Sequence, residues 1–330
     1  MFAERLICSW IGALGLAAGA YCQTYVTFSV DANTIPTSIN EKGEIAGHFT
    51  TAAPLVLQHG FVRDPGGTIT TFDVPGSSNT FAFSINDEGS ITGYYTVPSG
   101  GQHGYVRDPE GNFTTFDPLG SVSTTAQSIN AGGAITGYYH ESNNVDHGFV
   151  RRADGKLISF GPPGSIQTHA LSINAKGAIT GQYTDANNRV HGFVRRPGGE
   201  IVSFDVPEST GTIATSINDV GAIAGSYIAA NGLSFGFVRD RLGKFTSFDI
   251  PGLQSNIQVT SINNEGAITG LGFVIAARSL AFVRSPDGTI TFTNPGGCLL
   301  YVTLSINDEG VITGSCNTGF GPPRGWVRFP

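Results

Sequence analysis

Basic residues are few in this chain: 18 Lys and Arg stand against 25 Asp and Glu in 330 residues, a formal net charge of −7. A nucleic-acid binder carries a basic stripe, so no nucleic-acid partner is expected, and charge-driven adhesion to anionic membranes is disfavoured too. Only 13% of residues are charged, yet disorder is excluded, because 40% are apolar and 10% aromatic, enough to bury a core. Helical patterning is absent, since no segment sustains an apolar period of about 3.6 residues. No phosphate-cradling glycine loop, zinc-ligand spacing or helical metal motif occurs, so neither metal nor cofactor is expected.

Long apolar runs are also lacking, apart from one at the N-terminus. There Arg5 precedes an apolar or small stretch from Leu6 to Gly19, too short to span a bilayer comfortably, and Ala18-Gly19-Ala20 offers the A-x-A pattern of signal cleavage. Residues 1–20 are expected to be a signal peptide, leaving Tyr21 first in a secreted chain, whether extracellular, cell-surface or periplasmic, with no transmembrane segment. A retained anchor is the alternative; a lipidated Cys22 is disfavoured by Tyr21 before it.

What is abundant is glycine, 46 residues, and it falls in a repeat. Ser-Ile-Asn begins at Ser38, Ser84, Ser128, Ser172, Ser216, Ser261 and Ser305, at spacings of 44 to 46 residues. Each copy continues in phase. Asn86-Asp87-Glu88-Gly89-Ser90-Ile91-Thr92-Gly93 is followed by His103-Gly104-Tyr105-Val106-Arg107, and most copies end like Phe72-Asp73-Val74-Pro75-Gly76. Four short strands fit each unit: a, the run into Ser-Ile-Asn (Phe81 to Ile85); b, Ile91 to Tyr95; c, Gly104 to Arg107; d, Phe113 to Phe116. Asn-x-x-Gly joins a to b as a hairpin turn with glycine at positive φ. Strand c is apolar on both faces, as in a sheet covered on both sides.

The chain's ends set the topology. The last copy stops at Pro330 without a strand d, and Tyr25 to Val30 matches a strand d with nothing before it. Pairing the two closes a ring and removes exposed edges, whereas a linear solenoid would need caps. The expected architecture is all-β: one domain, residues 21–330, folded as a seven-bladed β-propeller whose N-terminal strand completes the last blade. The Ser-Ile-Asn-x-x-Gly-x-Ile-x-Gly core and the His-Gly-Phe-Val-Arg strand resemble the bacterial extracellular HAF-repeat family over residues 24 to 330. Phe235, Leu280 and Arg324 depart from its histidine. The resemblance implies an exported repeat protein and carries no chemistry to transfer.

Several constellations invite a chemical reading. Ser84, His103 and Asp117 can be drawn as a triad, but Ser38, His59 and Asp73, and Ser172, His191 and Asp205, repeat it. A polar network tying strands a, c and d is therefore favoured. Arg63, Arg107, Arg151, Arg195, Arg239, Arg284 and Arg328 suggest an anion site; solvated side chains, or inter-blade pairing with residues such as Asp87, Asp219 and Asp308 in the a–b turns, are the simpler expectation. Those aspartates read as turn formers, because the alternating ligands of a calcium loop are missing.

No catalytic residue is therefore expected, and the ligand-binding residues stay unknown. The copies differ most in the b–c loops, which share one face with the d–a connections, and variable loops on a rigid scaffold are where binding usually sits. Pro54-Leu55-Val56-Leu57 and Phe320 make the first and last of these loops the most apolar. The expected function is a non-catalytic binding or scaffold module for an extracellular glycan or protein. The alternative is a glycan hydrolase or lyase, which requires off-repeat acids such as Glu141, Asp146, Asp185 and Glu208 to converge. Of the four cysteines, Cys8 leaves with the signal peptide. Cys298 and Cys316 flank strands a and b of the last blade on one face, so they are expected to form a disulfide, with three free thiols as the alternative.

Overall fold

The computed structural model describes residues 4–8, 22–250, 253, 256–274, 278–293, 295, 298, 300–317, 319 and 321–330. Every regular element among them is a β-strand, and among the described residues no helix is long and apolar enough to cross a membrane. The turn chemistry explains the hairpins. Gly43, Gly89, Gly133, Gly177, Gly221, Gly266 and Gly310 hold φ between 75° and 86°, a region that costs glycine nothing.

The second repeat shows the unit. Asn79–Ile85 (a), Ile91–Thr96 (b), Gln102–Arg107 (c) and Phe113–Phe116 (d) pair antiparallel in that order. Strand a starts earlier than its sequence suggests, at Asn79, and in the next three repeats at Ser121, Ser165 and Ser209. A bulge between Ala82 and Ser84 inserts one residue and breaks the alternation that would have revealed the longer strand. In the last repeat Leu300–Ile306, Ile312–Asn317 and Arg324–Arg328 are joined by Cys22–Phe28, with Tyr25 opposite Arg328 and Phe28 opposite Gly325. The pairing expected between the two ends is present. Glu4–Cys8 runs antiparallel beside Cys22–Phe28. The Ala18-Gly19-Ala20 site lies outside the described residues.

Strand a is the innermost strand, and two sets of hydrogen bonds carry it from repeat to repeat. Ile85 N–H donates to Ser38 Oγ (3.3 Å), Ile129 to Ser84 (3.3 Å) and Ile173 to Ser128 (3.4 Å), while Ile39 N–H reaches Ser305 Oγ (3.4 Å). One turn further on, each asparagine of Ser-Ile-Asn gives its Nδ2 to the next asparagine's carbonyl. The series runs Asn40 to Asn86, Asn130, Asn174, Asn218, Asn263 and Asn307, and Asn307 returns to Asn40, at 2.9 to 3.2 Å. All seven side chains are buried. The same Oδ1 atoms accept the N–H four residues on, as from Ala178 to Asn174 (2.9 Å), so each buried amide is satisfied on both sides.

Between neighbouring sheets the core is aromatic. Phe61, Tyr105, Phe149, Phe193, Phe237, Phe282 and Trp326, at one position of strand c, are fully buried. Burying such a side chain is worth about 2–3 kcal/mol. Phe28, Val311 and Val327 of the terminal repeat pack with Ile39, Ile45 and Phe61 of the first. Glycine inside strand b is obligatory: a Cβ on Gly93 would overlap the Phe81 carbonyl. Cys298 and Cys316 are disulfide-bonded, Cα to Cα 5.6 Å, which ties the segment before strand a to the end of strand b in the repeat that holds both chain ends.

Candidate functional site

Most chemistry-bearing residues of the repeat are absorbed by the scaffold. The imidazoles of His59, His103 and His191 meet Asp73 (2.8 Å), Asp117 (2.7 Å) and Asp205 (2.9 Å), linking strands c and d of one sheet. The serines belong to a different circuit, since Ser84 and Ser172 Oγ accept from the next repeat's isoleucine amide. The drawn triads therefore do not exist, and the expected a–c–d network within one repeat is a c–d pair, which Thr124 Oγ1 on strand a of the next repeat joins by donating to Asp117 (2.6 Å).

The arginines overturn a second expectation. They do not pair with the turn aspartates. Arg107 stands over the Phe72 ring of the preceding repeat (5.1 Å), Arg151 over Phe116 (5.1 Å) and Arg195 over Phe160 (5.0 Å), while Arg107 Nη1 donates to the Asp108 carbonyl (3.2 Å). The phenylalanine sits where strand c has glycine: Phe116 fills the space a Cβ on Gly104 would need. A guanidinium, more weakly hydrated than an ammonium, suits that stacked, half-buried position. The aspartates do more than form turns. Asp87 accepts from Glu41 N–H (2.9 Å), Asp219 from Ala175 (2.7 Å) and Asp308 from Asn264 (2.7 Å), each across a repeat boundary.

These aspartates rim the a–b mouth of the axis, above a cavity of about 190 Å³ lined by the buried asparagines. Desolvation pushes the Glu41 carboxyl up to about 7, against the hydrogen bond from Asp308 N–H and with the Asp308 and Asp87 charges adding. No group of three or more His, Cys, Asp and Glu among the described residues is arranged to hold a metal ion.

The opposite, loop-bearing face is where the repeats cease to be alike. Two of the acids that an enzyme reading required are held by neighbours of their own. Glu141 faces His147 (3.6 Å), and Asp185 accepts from Asn187 and Arg189 N–H and lies 3.5 Å from His191. Glu208 takes a left-handed turn position, φ 62°. Phe320 lies outside the described residues; Leu55 and Val56 are exposed on the first b–c loop.

Asp146 is different. Its carboxylate is clasped between His140 Nδ1 (2.6 Å) on strand b of its own repeat and His169 Nε2 (2.7 Å) on strand a of the next. Burial alone would raise this carboxyl; the hydrogen bonds from His169 and His140 hold it below the usual range. An ionised carboxylate only accepts, so both imidazoles donate to it, which leaves His140 Nε2 and His169 Nδ1 with lone pairs when neutral. Gln102 and Thr125 occupy two of these three positions one repeat earlier and make a neutral bond across the equivalent boundary, so the scaffold does not require the charged trio.

Beside the trio runs an aromatic wall. Tyr138 stacks on His169 (4.2 Å between ring centres, 29° between planes) and Phe81 on Tyr94 (4.5 Å, 23°). Phe83 meets Tyr94 edge-on at 5.4 Å, and buried His48 closes on Phe81 at 5.2 Å. Sequence reasoning found Asp146 but missed His140, His169, Tyr94 and Tyr138. The signal was there: these residues break the repeat inside strands a and b, whereas attention to variable loops looks past the strands.

Solved structures share this architecture. The chain is similar to a streptogramin B lyase (15% identity over 93% of this chain and 97% of that one, TM-score 0.63). It is similar to virginiamycin B lyase from Staphylococcus aureus (14%, all of both chains, TM-score 0.60). It is also similar to the β-propeller domain of the Trilobed protease from Pyrococcus furiosus (10%, 89% and 95%, TM-score 0.66). At these identities the likeness is one of fold, and the fold is that of a β-propeller, which among these structures serves lyases and a protease. No protein-family model matches the chain, and no curated protein matches it.

Proposed function

We propose that the chain is an exported, seven-bladed β-propeller of the HAF-repeat kind, acting as a binding module for an extracellular glycan or protein. The asparagine series that returns to its start and the pairing of Tyr25–Phe28 with Gly325–Arg328 support seven blades in a closed ring. The Arg5 to Ala20 pattern supports export, and the Cys298–Cys316 bridge suits an oxidising compartment. The observation that carries the binding reading is the position of the Asp146 trio and the aromatic wall. Period-fixed residues build the scaffold alike from repeat to repeat, and the trio and the wall form, on the second to fourth repeats, a polar and aromatic surface that this scaffold does not need.

A glycan hydrolase or lyase is the second reading, favoured by one observation: Asp146 orients two imidazoles in the manner of an acid–base pair. A hydrolase would also need a second carboxylate facing the same bond, and Glu141 and Asp185 are each engaged with neighbours of their own. The deciding experiment exposes the secreted chain to a glycan array and a pull-down, with product analysis of every bound glycan. Retention without cleavage is expected; cleavage that His140→Ala abolishes would establish the enzyme instead. N-terminal sequencing of the exported chain should begin at Tyr21.

A further inference from the structure

The cross-strand pair two residues past the bulge can be followed from repeat to repeat. It is Ile35 with His48, Phe81 with Tyr94, Thr125 with Tyr138, His169 with Gln182, Ile213 with Ser226 and Gln258 with Leu271. Rings crowd one arc of this circuit, from His48 through Phe81, Tyr94 and Tyr138 to His169, and the pairs Ile213–Ser226 and Gln258–Leu271 have none. Tyr94 and Tyr138 hold the same position in adjacent repeats, and burial, then the Tyr138 phenol, push the Tyr94 phenol up. Both rings are half-buried rather than sealed in the core.

Their hydroxyls distinguish them from a structural tyrosine. Tyr105 is fully buried and gives its hydroxyl to the Phe81 carbonyl (3.2 Å). Neither Tyr94 nor Tyr138 gives its hydroxyl to another described residue. Two apolar ring surfaces therefore carry uncommitted donors at their tips, and the wall ends on two imidazoles turned by Asp146. Such a surface has planar patches, polar groups at the rim and little flexibility, as specific small-ligand sites do.

We infer that the wall of Phe81, Tyr94 and Tyr138, with His140 and His169 at its end, is a subsite for a pyranose ring, so that the module's ligand is a neutral glycan. A pyranose presents a face of C–H groups that an aromatic ring covers, and hydroxyls at its edge that phenol and imidazole nitrogens pair. Charge argues for the neutral class, because the ionised Asp146 and the net charge of −7 both oppose a uronate or sulfated chain. A protein partner would be expected to prefer the exposed Leu55 and Val56 loop, which lies on a different repeat.

This inference rests on the binding reading above, and the test separates the two. Immobilised glucan, mannan, xylan and galactan, with alginate and pectin as acidic counterparts, are probed with the full chain. An oligosaccharide of the best-retained polymer is then titrated by calorimetry. Tyr94→Ala and Tyr138→Ala should each weaken binding about tenfold. The Tyr94→Phe, Tyr138→Phe double variant keeps both rings and should weaken binding about threefold with unchanged melting, so the test survives an alanine variant that misfolds. Wild-type binding that none of these variants moves would overturn this site and leave the module. Retention of acidic polymers alone would overturn the ligand class, and retention of no polymer, with or without capture of a protein partner, would overturn the glycan assignment altogether.

Discussion

The asparagine circuit makes a prediction that separates it from ordinary turn chemistry. Asn174 is 5% exposed; its Nδ2 donates to Asn218 O (2.9 Å) and its Oδ1 accepts from Ala178 N–H (2.9 Å). Replacing it by alanine removes both bonds. Asn218 O keeps the Gly221 amide as a donor (3.0 Å), so the cost falls mainly on Ala178 N–H and should come to about 2 kcal/mol. Aspartate discriminates between the two roles. As a turn former it would be accepted, since it retains the Oδ1 that Ala178 needs. In the circuit its second oxygen would stand against the Asn218 carbonyl, with a buried charge and no donor, so Asn174→Asp should cost at least as much as alanine, about 2–4 kcal/mol.

Equilibrium urea unfolding reads this as a fall in midpoint at constant slope. Far-UV dichroism follows the whole domain. Trp326, fully buried in the repeat that joins the chain ends, reports by fluorescence on the seam, and coincidence of the two curves establishes that one transition is being measured. Asn144, in an exposed b–c turn at φ 64°, is the control at which aspartate should be neutral. An Asn174→Asp protein within about 0.5 kcal/mol of wild type would refute the circuit as a stabilising element.

Three further outcomes follow from the same structure. Burial lowers His48 to about 4 despite its contact with the Ala82 carbonyl, so the unfolded chain binds a proton that the native state rejects. The His48 contribution is complete above pH 6.5 and about 3 kcal/mol of it should be lost as pH drops towards 4, while Glu41, pushed up to about 7, acts in the opposite sense over much of the same range. The difference in stability between wild type and His48→Phe should therefore shift by that amount between pH 7 and 4, and a pH-independent difference would exclude the assignment. Cys298→Ser with Cys316→Ser opens a bridge between residues 18 apart and should cost about 3 kcal/mol; non-reducing peptide mapping of wild type must show that pair. Deleting residues 21–30 strips Arg324–Arg328 of its partner and should give aggregation by light scattering, so a soluble deletion with unchanged melting would sink the closure.

Legibility in the sequence follows whether a property repeats and whether it is local. The four strands of each repeat, the hairpin glycines and the pairing of the chain ends were readable, because each depends on residues close in sequence or on counting strands, whereas the Glu4–Cys8 strand beside Cys22–Phe28 was not. Arg151 was misassigned because formal charge suggested Asp partners, whereas its real neighbour, Phe116 of the preceding repeat (5.1 Å), is visible only once Gly104 is known to leave room for that ring. Ser84 looked like part of a triad because its partner, the Ile129 amide, has no side-chain signature at all. Asn86 looked like a turn residue for a similar reason: its Oδ1 bond to Ser90 N–H (2.8 Å) is local, and its Nδ2 bond to Asn130 O (3.0 Å) is not. His140 and His169 failed differently. Each is a lone histidine inside a strand, and only the meeting of adjacent repeats brings both onto Asp146. In a repeat protein the positions held in phase are spent on the scaffold that every unit needs, so a function unique to the chain has to sit where the phase is broken. Here the breaks that form the proposed subsite lie at the loop-side ends of the inner strands, where side chains are half-open to solvent, rather than in the variable b–c loops.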